Sequence, residues 1–131
     1  MAGISTYASK ALLDWDLGGA APTRPSSWSI GLSLGTPSSV SASELATGSG
    51  ANRQAVTFGA AASPAGSASN SNVCSFGPFS GACTVIGCQI WDTSGATGGN
   101  FHWYGQLATA RTLGVGDSLT FSASALLVTL S

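Results

Sequence analysis

Residues 85–107 read VIGCQIWDTSGATGGNFHWYGQL, and no other stretch limits the fold as much. Two apolar runs, 85–91 and 101–107, flank a polar, glycine-rich break at 92–100. Both runs are rich in β-branched and aromatic residues, which suit a pleated, partly buried surface. Thr93-Ser94-Gly95 and Gly98-Gly99-Asn100 supply turn chemistry. The stretch predicts a long β-hairpin that carries Trp91, His102 and Trp103. Alternation puts Phe101 and Trp103 on one face and His102 on the other.

The rest of the chain agrees with a β fold. In residues 27–35, Trp28, Ile30, Leu32 and Leu34 alternate with Ser, Ser, Gly and Ser. That period of two predicts a strand with one buried and one wet face. Further strands are predicted at 53–59 with Val56 and Phe58 inward, at 73–76, at 118–122 and at 125–130. Residues 36–52 and 60–72 read as loops, the first long enough to suggest a function. Gly77-Pro78-Phe79-Ser80-Gly81 reads as a turn with Phe79 exposed at its tip.

One segment has a helical period. Ser5 can cap a helix from Thr6 to Leu17, with Ala8, Ala11, Leu12 and Trp15 on one stripe. Gly18-Gly19 ends it, and Pro22 and Pro25 prevent continuation. The helix is read as a lid on the open end of a sheet, or as an arm docked on a partner. The expected fold is all-β: an antiparallel two-sheet sandwich, jelly-roll or Greek-key-like, with one short N-terminal helix. It is read as a single domain over 1–131, with the helix and its cap in 1–20 and the sandwich in 27–131.

Only 7% of residues are charged and the formal net charge is −1, so the exterior must be neutral and hydroxyl-rich. Four basic residues cannot neutralise many phosphates, which argues against a nucleic-acid partner. No apolar run reaches about 18 residues, so no membrane span is expected. The N-terminal residues lack the basic and apolar pattern of a secretory signal, which suggests synthesis in a cytosol. A neutral surface suits close association, as in a subunit of an assembly.

Catalytic chemistry is hard to find. Ser33 lies in Gly31-Leu32-Ser33-Leu34-Gly35, but mid-strand and outward, not at a nucleophile elbow. His102 is the chain's one histidine, with Asp92 across the hairpin and no nucleophile in register. Asp14, Asp16, Glu44 and Asp117 form no acid–base pair by spacing. Cys74, Cys83 and Cys88 lack the pairing and histidines of a zinc site and read as buried thiols, a disulfide being the alternative. No catalytic, cofactor or metal site is expected.

Several phrases occur together in a known order. They are STYASKALLDWDLGG at 5–19, residues 27–34, ANRQAVTF at 51–58, IGCQIWD at 86–92 running through GGN to WYG, and GDSLTF at 116–121. This set resembles a family of small tailed-bacteriophage virion proteins, over nearly the whole chain. The likeness implies a β-sandwich structural protein without catalysis, and it departs at 73–88. With the composition, it suggests a capsid cement or decoration protein that holds major capsid subunits together. Such a protein would be a dimer or trimer on the capsid surface, assembled in the bacterial cytoplasm. The alternative is a tail-fibre or tail-tip module that binds a receptor or host glycan. In that case Trp91, Trp103 and Tyr104 would stack on sugars and Asp92 and Asn100 would bond hydroxyls. Candidate partner contacts are Tyr7, Trp15, Phe79, Trp91, His102 and Tyr104.

Overall fold

Nine strands and one helix make up the described residues, 3–20, 22–44, 52–62 and 66–129, of the computed structural model. In chain order they are β1 (Gly3–Ile4), α1 (Thr6–Asp16), β2 (Trp28–Ser33), β3 (Gln54–Val56) and β4 (Ser67–Ser69). Then follow β5 (Cys74–Phe76), β6 (Cys83–Trp91), β7 (Phe101–Leu113), β8 (Leu119–Phe121) and β9 (Leu127–Thr129). The expected hairpin is present as β6 and β7, the two longest strands, and the main sheet is built on it.

That sheet has five antiparallel strands in the order β1-β7-β6-β2-β3. Two antiparallel ribbons, β4-β9 and β5-β8, make the second layer. Ile30, Leu32, Val56, Val85 and Leu113 from the main sheet pack with Cys74, Phe76 and Phe121 from the β5-β8 ribbon. The architecture is an all-β sandwich with one short helix, as the sequence predicts. Strand β4 falls inside a stretch expected to be loop. Its residues are Ser-Ala-Ser, whose small side chains give no alternation to read.

Three local expectations need correction. Phe79 is not at an exposed tip: it is 1% exposed and part of the core. Its backbone N–H bonds Asp117 O at 2.9 Å and its carbonyl accepts from Gly116 N at 2.7 Å. Pairing with that neighbouring turn rolls the ring inward. In β2, Ser29, Gly31 and Ser33 are buried along with the apolar face, because residues 36–44 and the 92–100 turn cover the other side. Ser33 is therefore an enclosed hydrogen-bonding residue rather than an outward one.

The third concerns the central hairpin. Ile90 pairs with Trp103 and Trp91 with Phe101, so one extra residue, His102, is inserted in β7. A bulge of this kind reverses the side-chain alternation beyond it. Phe101 and Trp103 thus lie on opposite faces. A second irregularity follows: Gly87 pairs with Gln106 and Val85 with Arg111, so residues 107–110 stand opposite Ile86 alone.

Helix α1 starts as expected, with Ser5 Oγ accepting from Ala8 N at 3.1 Å. Ser5 N bonds His102 O at 2.8 Å, which fastens the helix entry to the hairpin. Only Ala8 of the helix is buried. The later turns keep an apolar stripe but carry it beyond the body of the sandwich.

Candidate functional site

The bulge at His102 creates two different faces on the main sheet. The outer face is polar beneath its covering loops. The inner face, away from the core proper, opens as an apolar cleft.

On the outer face Arg53 is the organising side chain. Buried charges persist only when paired and hydrogen-bonded, and Arg53 meets both conditions. Its Nε and Nη2 donate to Glu44 Oε1 and Oε2 at 2.6 and 2.8 Å, and Nη1 donates to Gly98 O at 2.7 Å. The guanidinium lies over Trp91, whose Nε1 donates to Gln89 Oε1 at 3.2 Å. Gln89 Nε2 in turn donates to Ser33 Oγ at 2.6 Å and Ala42 O at 2.9 Å. This chain ties both covering loops to the sheet. Gly31 makes room for it: a Cβ there would come within 2.5 Å of Gln89 Oε1 and 2.9 Å of Glu44 Oε1.

At the hairpin end, His102 Nε2 lies 3.1 Å from Asp92 Oδ2. Asp92 Oδ1 accepts from Asn100 N at 2.7 Å. Burial pushes the Asp92 carboxyl up, but the Asn100 N–H and the His102 ring outweigh it and hold the group below its ordinary value. The imidazole stands edge-on to Tyr7 and Trp28, at 5.3 and 4.9 Å between ring centroids. Among the described residues, no hydroxyl or thiol is hydrogen-bonded to the His102 ring. The pair fixes the helix, the turn and Trp28 relative to one another.

The cleft lies between the main sheet and the β4-β9 ribbon. Trp28, Phe58, Ala68, Ile90, Trp103 and Val128 line it, with Ala61 and Gly66 at its side, and its volume is about 400 Å³. No charged residue lines it. A concave apolar site of this kind accepts an apolar side chain or small molecule and offers few hydrogen bonds.

The six residues singled out as partner contacts do not form one surface. Tyr7 and Trp15 are exposed on α1, at 49% and 66%. Trp91, His102 and Tyr104 are half-buried, and Phe79 is in the core. Trp91 is already stacked by Arg53 and by Phe101, at 5.6 Å between ring centroids. The structure brings together only Tyr7 and His102. Sequence reading missed Arg53, Glu44 and Gln89, and it placed Trp28 and Phe58 on a buried strand face without seeing a cleft. An arginine in a chain with only four basic residues was the available signal. Its partner Glu44 is nine residues away in sequence, a spacing that carries no rule.

Among the described residues, no three His, Cys, Asp or Glu side chains come together to hold a metal ion. Cys74, Cys83 and Cys88 are all free thiols. Burial pushes Cys74 up and Cys88 to about 11.

No curated protein matches the chain. The family model described as Podophage GP4 fiber I protein gp80 matches residues 3–129, almost the entire sequence. The chain therefore belongs to the podophage GP4 fiber I protein gp80 family and is a bacteriophage virion structural protein.

Proposed function

We propose that this protein is a non-catalytic module of a fibre on a podophage virion, and that it works by apolar contact with protein partners. The observation that carries this reading is the match to a fibre family from residue 3 to residue 129. The distribution of apolar surface supports it. Five of the large exposed apolar residues, Tyr7, Leu12, Leu13, Trp15 and Leu17, lie on or just after α1. Exposed apolar patches of this kind mark interaction sites.

The capsid-cement reading shares the virion location but demands a different copy number. Direct glycan binding by Trp91, Tyr104, Asp92 and Asn100 draws less support. Trp91 is covered by Arg53, and Asp92 already accepts from Asn100 and pairs with His102. Trp103 lines a cleft with too few polar groups for a hydroxyl-rich ligand.

Quantitative mass spectrometry of purified virions, with the major capsid protein as internal standard, tests the proposal. A few copies per particle, with antibody label at the tail or its fibres, is the expected result. Hundreds of copies spread over the shell would overturn it in favour of cement.

A further inference from the structure

We propose that residues 3–8 act as a peptide ligand for their own fold, and that the seat they occupy on β7 also takes the same segment from a second copy. Exchange of this kind links neighbouring copies through contacts already present in one chain. The inference is independent of the fibre reading, because seat and segment belong to the same chain wherever it sits in the virion.

The segment reads Gly-Ile-Ser-Thr-Tyr-Ala, and every residue in it is engaged. Gly3 pairs with Tyr104 and Ile4 with Trp103, which adds β1 to the edge of the main sheet. A Cβ on Gly3 would come within 2.7 Å of Tyr104 Oη and 3.0 Å of its Cζ, so the tyrosine ring lies against bare backbone. Ser5 is buried, its N–H donates to His102 O at 2.8 Å, and its hydroxyl caps α1. Thr6 N donates to Ser39 O at 2.8 Å. Tyr7 stands edge-on to the His102 ring, and Ala8 is buried. This is strand addition to a sheet edge. Main-chain hydrogen bonds attach the segment, and side chains at set positions make it selective.

Beyond Ala8, the residues of α1 are half-buried or exposed. Attachment is therefore concentrated in residues 3–8. The connection to the rest of the fold runs through 17–27, whose described residues are exposed apart from the half-buried Pro25 and Ser27. Gly18, at φ 90°, turns the chain off the helix. Pro22 and Pro25 favour an extended path after it.

Strands β1 and β2 are separated by β7 and β6, about 14 Å across the sheet. The connection 17–27 can extend to about 36 Å. Its length does not confine the segment to its own body. Exchange replaces each contact by the same contact with a second copy, so no interaction is given up. The two arrangements differ in effective concentration, which for a short flexible tether is about 1 mM. Copies held side by side in an assembly present their seats at that level, and exchange then ties them together.

A photo-crosslinking residue in place of Tyr7, in an equal mixture of ordinary and isotopically heavy full-length chains, tests this. Mass spectrometry then separates crosslinks within a copy from crosslinks between copies. Both kinds should land on Ser39 or residues 101–104. The share between copies should rise roughly tenfold for a tenfold rise in concentration below about 1 mM. Ser5→Pro removes the N–H that reaches His102 O, at a φ of −69° that proline adopts. Thr6→Pro removes the N–H that reaches Ser39 O, at a helix position where proline is favoured. Each variant should lower both kinds of crosslink together with circular dichroism unchanged, since one seat serves both. Trp15→Asp should change neither, which separates exchange from association through the exposed end of the helix. Crosslinks confined to one copy at every concentration would overturn the proposal. So would crosslinks between copies that fall outside the seat, persist in both proline variants or vanish with Trp15→Asp.

Discussion

The Arg53 guanidinium sits over the Trp91 indole, 3.5 Å from the ring centroid, while its edge is held by Glu44. A cation that is nearly fully buried is thus matched on its face and along its rim. Truncating one partner of such a pair leaves the other uncompensated. Because Glu44 keeps some exposure, Arg53→Ala is expected to cost about 3 kcal/mol, near the low end for buried pairs. Arg53→Lys retains the charge but loses the fork and the stacking, so it should fall between. Urea unfolding of the three proteins checks the order.

Gly31 is expected to tolerate nothing larger. Its missing Cβ is the space used by Gln89, Glu44 and Trp91, and overpacking a filled site costs about 1–3 kcal/mol. Gly31→Ala should lower the melting temperature and raise the proteolytic sensitivity of residues 36–44. An equal melting temperature with no new cleavage would show that the network adjusts at no cost.

Phe79 separates a core role from a contact role. As a core ring it should cost about 3–5 kcal/mol on truncation to alanine. Phe79→Leu, which keeps most of the apolar volume, should be milder. If Phe79→Ala unfolds at the wild-type urea midpoint, the ring is not a core element.

The hairpin, the helix with its Ser5 cap and most strands were legible because each rests on a local pattern. Period-two alternation and turn glycines mark β6 and β7, and a 3.6-residue stripe marks α1. What escaped depends on pairing between distant residues. One bulge residue, His102, moved Phe101 and Trp103 to opposite faces, and no sequence rule places a bulge. Phe79 looked like a turn tip because its burial is decided by hydrogen bonds to the turn at 116–117. The Arg53–Glu44–Gln89 network was hidden because β2 gives no sign that its serine face would be roofed by loops. The cleft arises between two layers whose separation is set by the whole fold.

The Asp92–His102 pair gives a pH dependence of defined sign. The native Asp92 carboxyl is held below its ordinary value of 3.8. A group of this kind stabilises fully above that value, and the contribution is lost as pH falls through the lower native one. Wild-type stability should therefore fall more steeply than that of Asp92→Asn as pH is taken from about 5 to about 2.5. At pH 6 the variant should be less stable by about 1–2 kcal/mol, the cost of weakened hydrogen bonds to a charged acceptor. Parallel slopes for the two proteins would mean that Asp92 is not held in its ionised form.

The thiols provide a final check on the packing of the central sheet. Cys88 packs against the core beside Trp103 and Ile90, and burial raises its thiol to about 11. The thiolate is the reactive form. At pH 8 a thiol three units below its pKa is ionised in roughly one molecule in a thousand. Cys74, buried and also raised, should behave similarly. A thiol-specific reagent at pH 8 should leave Cys74 and Cys88 unmodified in the native protein and label all three cysteines once it is unfolded in urea. Mass mapping of the labelled peptides reads the outcome. Rapid native labelling of Cys88 would mean that the packing over β6 opens on the timescale of the reaction.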